Sequence, residues 1–167
     1  MQFKPIIMYV PLQELPKDAR IWIFQSPRPL TPDEERWVRE EAERFVSEWT
    51  AHNVALKAGY AVFDHHFLVL AIDERQAMAS GCSIDKSVHL VRRVSEQLGV
   101  DLLDRMNFAF GEGEMLKVVP RKEFARLVES GEIGPKTVVY NNLVDRLSDL
   151  ESAWKVPFAE SWHRQLV

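Results

Sequence analysis

Phe67-Leu-Val-Leu-Ala-Ile72, preceded by Ala58-Gly-Tyr-Ala-Val-Phe63 and by the polar triplet Asp64-His65-His66, is the stretch on which the fold turns. Six consecutive apolar residues are too few for a typical helix. Bounded by polar residues, they read as a central strand buried on both faces. Residues 58–63 then read as its neighbour across a turn. Upstream, Arg20-Ile-Trp-Ile-Phe-Gln25 is aromatic and β-branched, a third strand that ends before Pro27 and Pro29. Thr31-Pro-Asp-Glu34 carries the start signal of a helix: Thr31 as N-cap, Pro32 in the first turn, and Glu34 closing a capping box. Val38, Ala42, Phe45 and Trp49 recur at helical spacing, which predicts about five turns burying that stripe.

Downstream, a second helix is expected to start near Ser83. Ile84, Val88, Val91, Val94 or Ser95, and Leu98 would share a face, with Gly99 as the stop. Residues 106–110 and 115–119 read as a hairpin across Gly111-Glu-Gly-Glu114. Arg121 to Ser130 reads as a helix ending at Gly131, residues 137–140 as a short strand, and residues 143–150 as a further helix. The tail, with Pro157, reads as a loop and a short closing helix. Strand, helix, strand, strand, helix, strand over residues 20–110 is the split βαβ order of a ferredoxin-like βαββαβ sandwich. The expected architecture is a single α+β domain over residues 1–167, with a C-terminal β/α extension at 111–167. No internal repeat or low-complexity linker is present.

The chain has 167 residues with 21 Lys and Arg against 25 Asp and Glu, a net charge of -4. That length holds a core without disulfides or metals. A negative field disfavours nucleic acid and acidic membranes as partners. Trp22, Phe24, Phe108 and Phe110 have the spacing of a base-stacking sheet face. No RNA-recognition signature accompanies them, so they read as core. Seven glycines argue against several glycine-rich loops. The single cysteine, Cys82, excludes an internal disulfide and any cysteine-based zinc site, and fits a reducing compartment. The apolar run Ile6-Ile-Met-Tyr-Val10 is short for a signal-peptide core, and no stretch approaches 18 apolar residues. The expected location is cytoplasmic.

Gly81-Cys-Ser-Ile-Asp-Lys86-Ser87 echoes a phosphate-binding loop, and Leu68 to Asp73-Glu74 echoes a magnesium-holding strand. The loop lacks the glycine before its lysine and is one residue short. Asp85 in that place would repel phosphate, and the acidic strand precedes the loop instead of following it. A P-loop ATPase is therefore disfavoured. The same residues suit a helix N-terminus that activates a thiol and receives an anion. On that reading Cys82 is a nucleophile or redox thiol, with Asp85 and Asp73 as catalytic carboxylates. Ser80, Gly81, Ser83, Lys86 and Ser87 would bind the ligand. The structural alternative makes Ser83 the cap and Cys82 a small buried filler. Asp73-Glu74 and Asp104-Arg105 equally suit loop caps or exposed ion pairs. His65 and His66, adjacent on a strand, would point to opposite faces and cannot chelate one ion, so no metal is expected and the pair reads as a surface turn. No cofactor motif is present. Trp154, Pro157, Phe158, Ser161, Trp162 and His163 crowd the tail, which suggests docking onto the domain or onto a second subunit.

Ser80-Gly-Cys-Ser-Ile-Asp-Lys-Ser-Val88, Leu102-Leu-Asp-Arg-Met-Asn107, Thr137-Val-Val-Tyr-Asn-Asn-Leu-Val144, and Trp154-Lys-Val-Pro157 with Ser161-Trp-His163 together resemble an uncharacterised family of Bacteroidetes-type bacteria. The resemblance runs from about residue 20 to the end. Members of that family often carry the label "ABC transporter ATPase", and the family supplies no established catalytic residues to carry over. The label implies ATP hydrolysis, against which the phosphate-loop argument stands. The chain is also short for an ABC nucleotide-binding domain and lacks the Leu-Ser-Gly-Gly-Gln signature. The sequence thus supports a small ligand-binding or protein-interaction domain, with a small anionic ligand or a protein as partner and a homodimer as a further option. The alternative is a small enzyme built on Cys82.

Overall fold

The computed structural model describes residues 9–167. The apolar run at Ile6 to Met8 lies outside them. Three antiparallel strands, β1 (Arg20–Gln25), β4 (Lys57–Phe63) and β5 (Phe67–Asp73), form the first sheet in the order β1-β5-β4. All seven residues of β5 are buried, as expected of a central strand covered on both sides. A small hairpin, β2 (Thr50–Ala51) and β3 (Val54–Ala55), precedes β4; its turn residues His52 and Asn53 both take positive φ. Gly59 on β4 lets the chain at Val10 lie close: a Cβ there would sit 2.3 Å from the Val10 carbonyl oxygen.

One face of this sheet carries α1 (Pro32–Glu48) and α2 (Gly81–Leu98). Val38, Ala42, Val46 and Trp49 from the α1 segment, with Leu90, Val91 and Val94 from α2, pack on Phe24, Leu68, Leu70 and Ile72. The Thr31–Glu34 capping box forms in both directions, at 3.2 and 2.9 Å. Arg28 clamps Glu34 with two bonds of 2.8 Å and holds its carboxyl down at about 2. The same guanidinium reaches the Leu98 carbonyl at 3.1 Å, tying the start of α1 to the end of α2.

The face that α2 buries is rotated from the predicted stripe. Ser83 and Ser87 are buried, whereas Ile84 and Val88 are only half-buried. The small serines let the helix approach Trp49, whose indole Nε1 donates to the Ser83 carbonyl at 2.8 Å. The helix cap is Ser80, three residues before the predicted Ser83. Gly99 ends the helix at φ 68°, where a residue without Cβ is favoured.

The expected fourth strand of the ferredoxin-like unit does not join β1. β6 (Asn107–Phe110) belongs instead to a second antiparallel sheet with β7 (Lys117–Pro120), β8 (Val138–Tyr140) and β9 (Lys155–Pro157), in the order β7-β6-β8-β9. The alternation of β6 accounts for this. Ala109 turns toward the first sheet, where Ile21, Ile23, Phe67, Val69, Tyr140 and Trp154 form a second core. Phe108 turns the other way, onto Phe124 and Leu127 of α3 (Arg121–Glu129) and onto Phe158. A strand placed beside β1 would have put one of these two sets in solvent. The molecule is therefore layered: helices, first sheet, second sheet, then α3 with the tail. Trp22 and Phe24 lie under the helices, and Phe108 and Phe110 lie under α3.

The predicted helix over 143–150 is reduced to α4 (Asp149–Ser152). Residues 145–148 are held instead by main-chain bonds to β1 and the chain leading into it, with a bridge between Arg146 and Arg20 and a turn at 147–148. Ile21 N donates to Asp145 O at 3.0 Å, Leu147 N to Ala19 O and Ser148 N to Lys17 O, both at 2.9 Å. The tail forms β9 and two 3-10 turns, Phe158–Glu160 and Trp162–Leu166. No helix among the described residues is long and apolar enough to cross a membrane.

Candidate functional site

The outer edge of β1 is only half covered. The segment 145–148 accompanies it as far as Ile21, then Val144 N folds back to Asn141 O at 3.3 Å and the cover ends. In an antiparallel strand, successive residues aim their main-chain groups at opposite neighbours. Ile21 faces outward, so Ile23 and Gln25 do as well, whereas Trp22 and Phe24 face β5. In the β1–β5 register Ser26 N bonds His66 O, so the ladder bonds fall on Trp22 and Phe24 and leave the N–H and C=O of Ile23 pointing outward, where no bond from outside the ladder reaches them among the described residues. Those groups nonetheless lie inside the protein, since Ile23 is 5% exposed. A buried peptide group without a partner is rare, and an open strand edge invites one.

A cleft of about 70 Å³ lies along this open edge. Its floor is Ile23 and Gln25, its walls include Leu102, Phe108, Tyr140 and His163, and Arg105 and Leu143 stand at its mouth. Polar bonds hold the walls apart. Gln25 Nε2 donates to the Asn107 carbonyl at 3.1 Å, and Gln25 Oε1 accepts from Asn142 Nδ2 at 2.9 Å. Asn142 Oδ1 in turn accepts from Trp154 Nε1 at 2.9 Å, and Asn141 Oδ1 accepts from Trp162 Nε1 at 2.9 Å. The adjacent asparagines after β8 thus bind both tail tryptophans, and the tail docks on its own domain. Asp104 caps the turn before β6: its carboxylate accepts from Met106 N at 2.8 Å and Asn107 Nδ2 at 3.0 Å.

His163 is 1% exposed and sealed among aromatic rings, stacked on Trp162 at 4.2 Å and set edge-on to Phe108 at 5.6 Å. Its Nδ1 is hydrogen-bonded to the Ser161 hydroxyl, which also accepts the His163 main-chain N–H at 3.3 Å. Burial pushes its pKa down to about 4, so the ring is neutral at pH 7. Nε2 has no hydrogen-bond partner among the described residues. The buried Tyr140 hydroxyl has no hydrogen-bond partner among the described residues; burial raises its pKa, and the nearby Asp64 charge adds to this.

No family model, curated protein or solved structure matches this chain. What the site does must therefore be argued from its own groups.

The residues singled out from the sequence around Cys82 lie elsewhere, at the start of α2. That helix begins at Gly81, so Gly81 to Ser87 are its first two turns and no glycine loop precedes them. The Ser80 and Ser83 side chains cap each other's main-chain N–H groups at 3.1 and 2.6 Å. Ser87 is buried and donates to the Ile84 carbonyl at 2.5 Å. Lys86 Nζ lies 3.3 Å from Thr50 Oγ1, and Gly81 and Asp85 are exposed. Asp73 is buried, and the Arg75 guanidinium clamps it at 2.7 to 3.1 Å, which holds its carboxyl below the usual range. Cys82 is exposed and not a buried filler. Among the described residues no histidine hydrogen-bonds to it. Iodoacetamide is accordingly expected to alkylate Cys82 in the native protein, and Cys82→Ser to shift unfolding stability by less than about 0.5 kcal/mol. Alkylation only after urea unfolding, followed by mass spectrometry, would contradict this placement.

The two adjacent histidines also separate. Asp64 and His65 take φ of 51° and 57°, a type I′ turn. His65 is exposed and binds Glu35 Oε2 at 2.6 Å. His66 corrects the surface-turn expectation: it is buried, with Nδ1 donating to the Asp64 carbonyl at 2.8 Å, and burial lowers its pKa. No group of three His, Cys, Asp or Glu side chains poised for a metal occurs among the described residues.

Ser161 and His163 stand out in the sequence, whereas Gln25 does not and Asn142 figures there only within the stretch Thr137 to Val144. A buried amide closing the apolar run Ile21 to Phe24, Gln25, is the signal that points there.

Proposed function

We propose that this protein is a small-ligand-binding domain whose site is the cleft along the open end of β1. The observation that carries this reading is the unpartnered main chain of Ile23, inside the protein and facing a preformed cleft. Clefts of this kind, mostly apolar with a few fixed polar groups, are the usual form of small-molecule sites. The first sheet and its helices keep the strand order of three strands of a ferredoxin-like unit. On our reading the cleft occupies the lane beside β1 that the fourth strand leaves. The amide chain Gln25–Asn142–Trp154 fixes the walls, so binding would require little rearrangement.

Saturation-transfer NMR with benzamide and uracil as probes tests the proposal. Both are planar and compact, and their signals are expected to be attenuated by the wild-type protein. Leu143 at the mouth is 66% exposed, so Leu143→Trp should leave the fold intact while covering the entrance. Loss of the transfer signal in that variant supports the site. Equal signals in both proteins, or none in either, contradict it.

A further inference from the structure

The donor and acceptor groups around the cleft specify the ligand further, on the premise that the cleft is a binding site. Ile23 presents a main-chain N–H and C=O side by side. A carboxylate offers acceptors only and would meet the Ile23 carbonyl unfavourably. An alcohol can answer one of the two groups. A cyclic amide carries its C=O and N–H on the same edge and answers both. His163 supplies a third group. The Ser161 hydroxyl accepts the His163 main-chain N–H and is assigned as the donor to Nδ1, which places the ring proton on Nε2. The site thus offers a donor and an acceptor from Ile23, and His163, which lines the cleft, would add a second donor from its neutral ring.

Size narrows the class. An enclosed cavity of about 150 Å³ accommodates benzene; the present cleft, at about 70 Å³, takes in one edge of a ring while the remainder projects between Arg105 and Leu143. An added peptide strand fits less well, because Asp145 and Arg146 already occupy the adjoining edge of β1 at Arg20 and Ile21.

We propose that the cleft recognises the amide edge of a compact planar heterocycle, a lactam or cyclic imide. The ring C=O accepts from Ile23 N–H, the ring N–H donates to Ile23 C=O, and a second carbonyl, where present, accepts from His163 Nε2.

The test is a titration of 15N-labelled full-length protein with uracil, 1,3-dimethyluracil and benzoate, following the amide resonances of Ile23 and Gln25. Uracil is expected to shift Ile23 downfield in a saturable way. Dimethyluracil keeps the ring and both carbonyls but has no N–H, and it should bind about tenfold more weakly, as for the loss of one hydrogen bond and an unpaired carbonyl. Benzoate should not displace uracil. Binding of dimethyluracil or benzoate as tightly as uracil overturns the amide-edge proposal while leaving the cleft as a binding site. Absence of any shift at Ile23 and Gln25 with all three overturns both. His163→Phe keeps the ring packing and removes the Nε2 donor, and it should weaken uracil without altering benzamide. A uracil affinity unchanged in His163→Phe removes the histidine from the proposed contact set.

Discussion

Replacing Trp154 by Ala is expected to cost about 3–5 kcal/mol of unfolding free energy, the largest loss among the tail residues. The indole is 2% exposed and sits in the core between the two sheets. It lies edge-on to Phe67 at 4.9 Å, to Tyr140 at 5.4 Å and to Phe63 at 5.6 Å. Deletion would leave a cavity lined by rings that are themselves anchored in β4, β5 and β8, so the space cannot close readily. The same deletion frees Asn142 Oδ1 from its bond with the indole N–H, which weakens the Asn142 grip on Gln25. Trp154→Phe separates the two contributions. It retains most of the packing and loses the donor, so about 1–2 kcal/mol should go. Urea unfolding measures both, as a fall in midpoint at constant slope. A loss below about 1 kcal/mol for Trp154→Ala would mean that the tail does not hold the sheets together.

The second large effect is a loss of stability in acid that depends on His163. In the unfolded chain this imidazole takes up a proton near pH 6.5. In the folded protein burial delays uptake until about pH 4. Between those values the unfolded state binds more protons, so stability rises with pH through the window. The contribution is complete above about 6.5 and is lost as pH falls toward 4, and it amounts to roughly 3 kcal/mol. His66, also lowered by burial, adds a decline in the same direction. His163→Phe should therefore flatten part of the slope of stability against pH between 7 and 4, and His66 should account for part of what remains. Identical slopes in the wild type and His163→Phe would show that His163 titrates as a solvated histidine.

The sequence disclosed the parts of the fold that depend on local pattern. The apolar run at residues 67–72, the Thr31–Glu34 capping box and the Gly99 stop each act through near neighbours in the chain, and each appears where expected. What failed was the assignment of strands to sheets. Alternation tells which residues of β6 share a face, but each face carries a buried apolar residue, Phe108 on one and Ala109 on the other, so pattern alone does not say which sheet receives it. The stretch 143–148 failed for a related reason. Its helical spacing is real, yet bonds to Lys17, Ala19 and Ile21, more than 120 residues away, hold it in turns and a single bridge instead of a helix. The face of α2 was misread because buried serines carry no hydrophobic signal.

The candidate site was legible only in fragments. Chemistry-bearing residue types drew attention to Cys82 and to Ser80 through Ser87, where capping bonds use the Ser80 and Ser83 side chains. The cleft instead owes its character to a main-chain edge, and no residue type announces an unpaired peptide group. Ser161 and His163 were visible as a pair, but their relation to Ile23 arises from the packing of the second sheet against the first.

The most direct measurement is amide hydrogen exchange along β1 in the native, ligand-free protein, resolved residue by residue. Trp22 and Phe24 donate to β5 and should exchange slowly, near the limit set by global unfolding. Ile21, bonded to Asp145, should also be protected. Ile23 should exchange far faster than all three, because its N–H meets only the cleft. Protection of Ile23 equal to that of Trp22 and Phe24 would show that this edge is already paired, and the binding site argued from it would not exist.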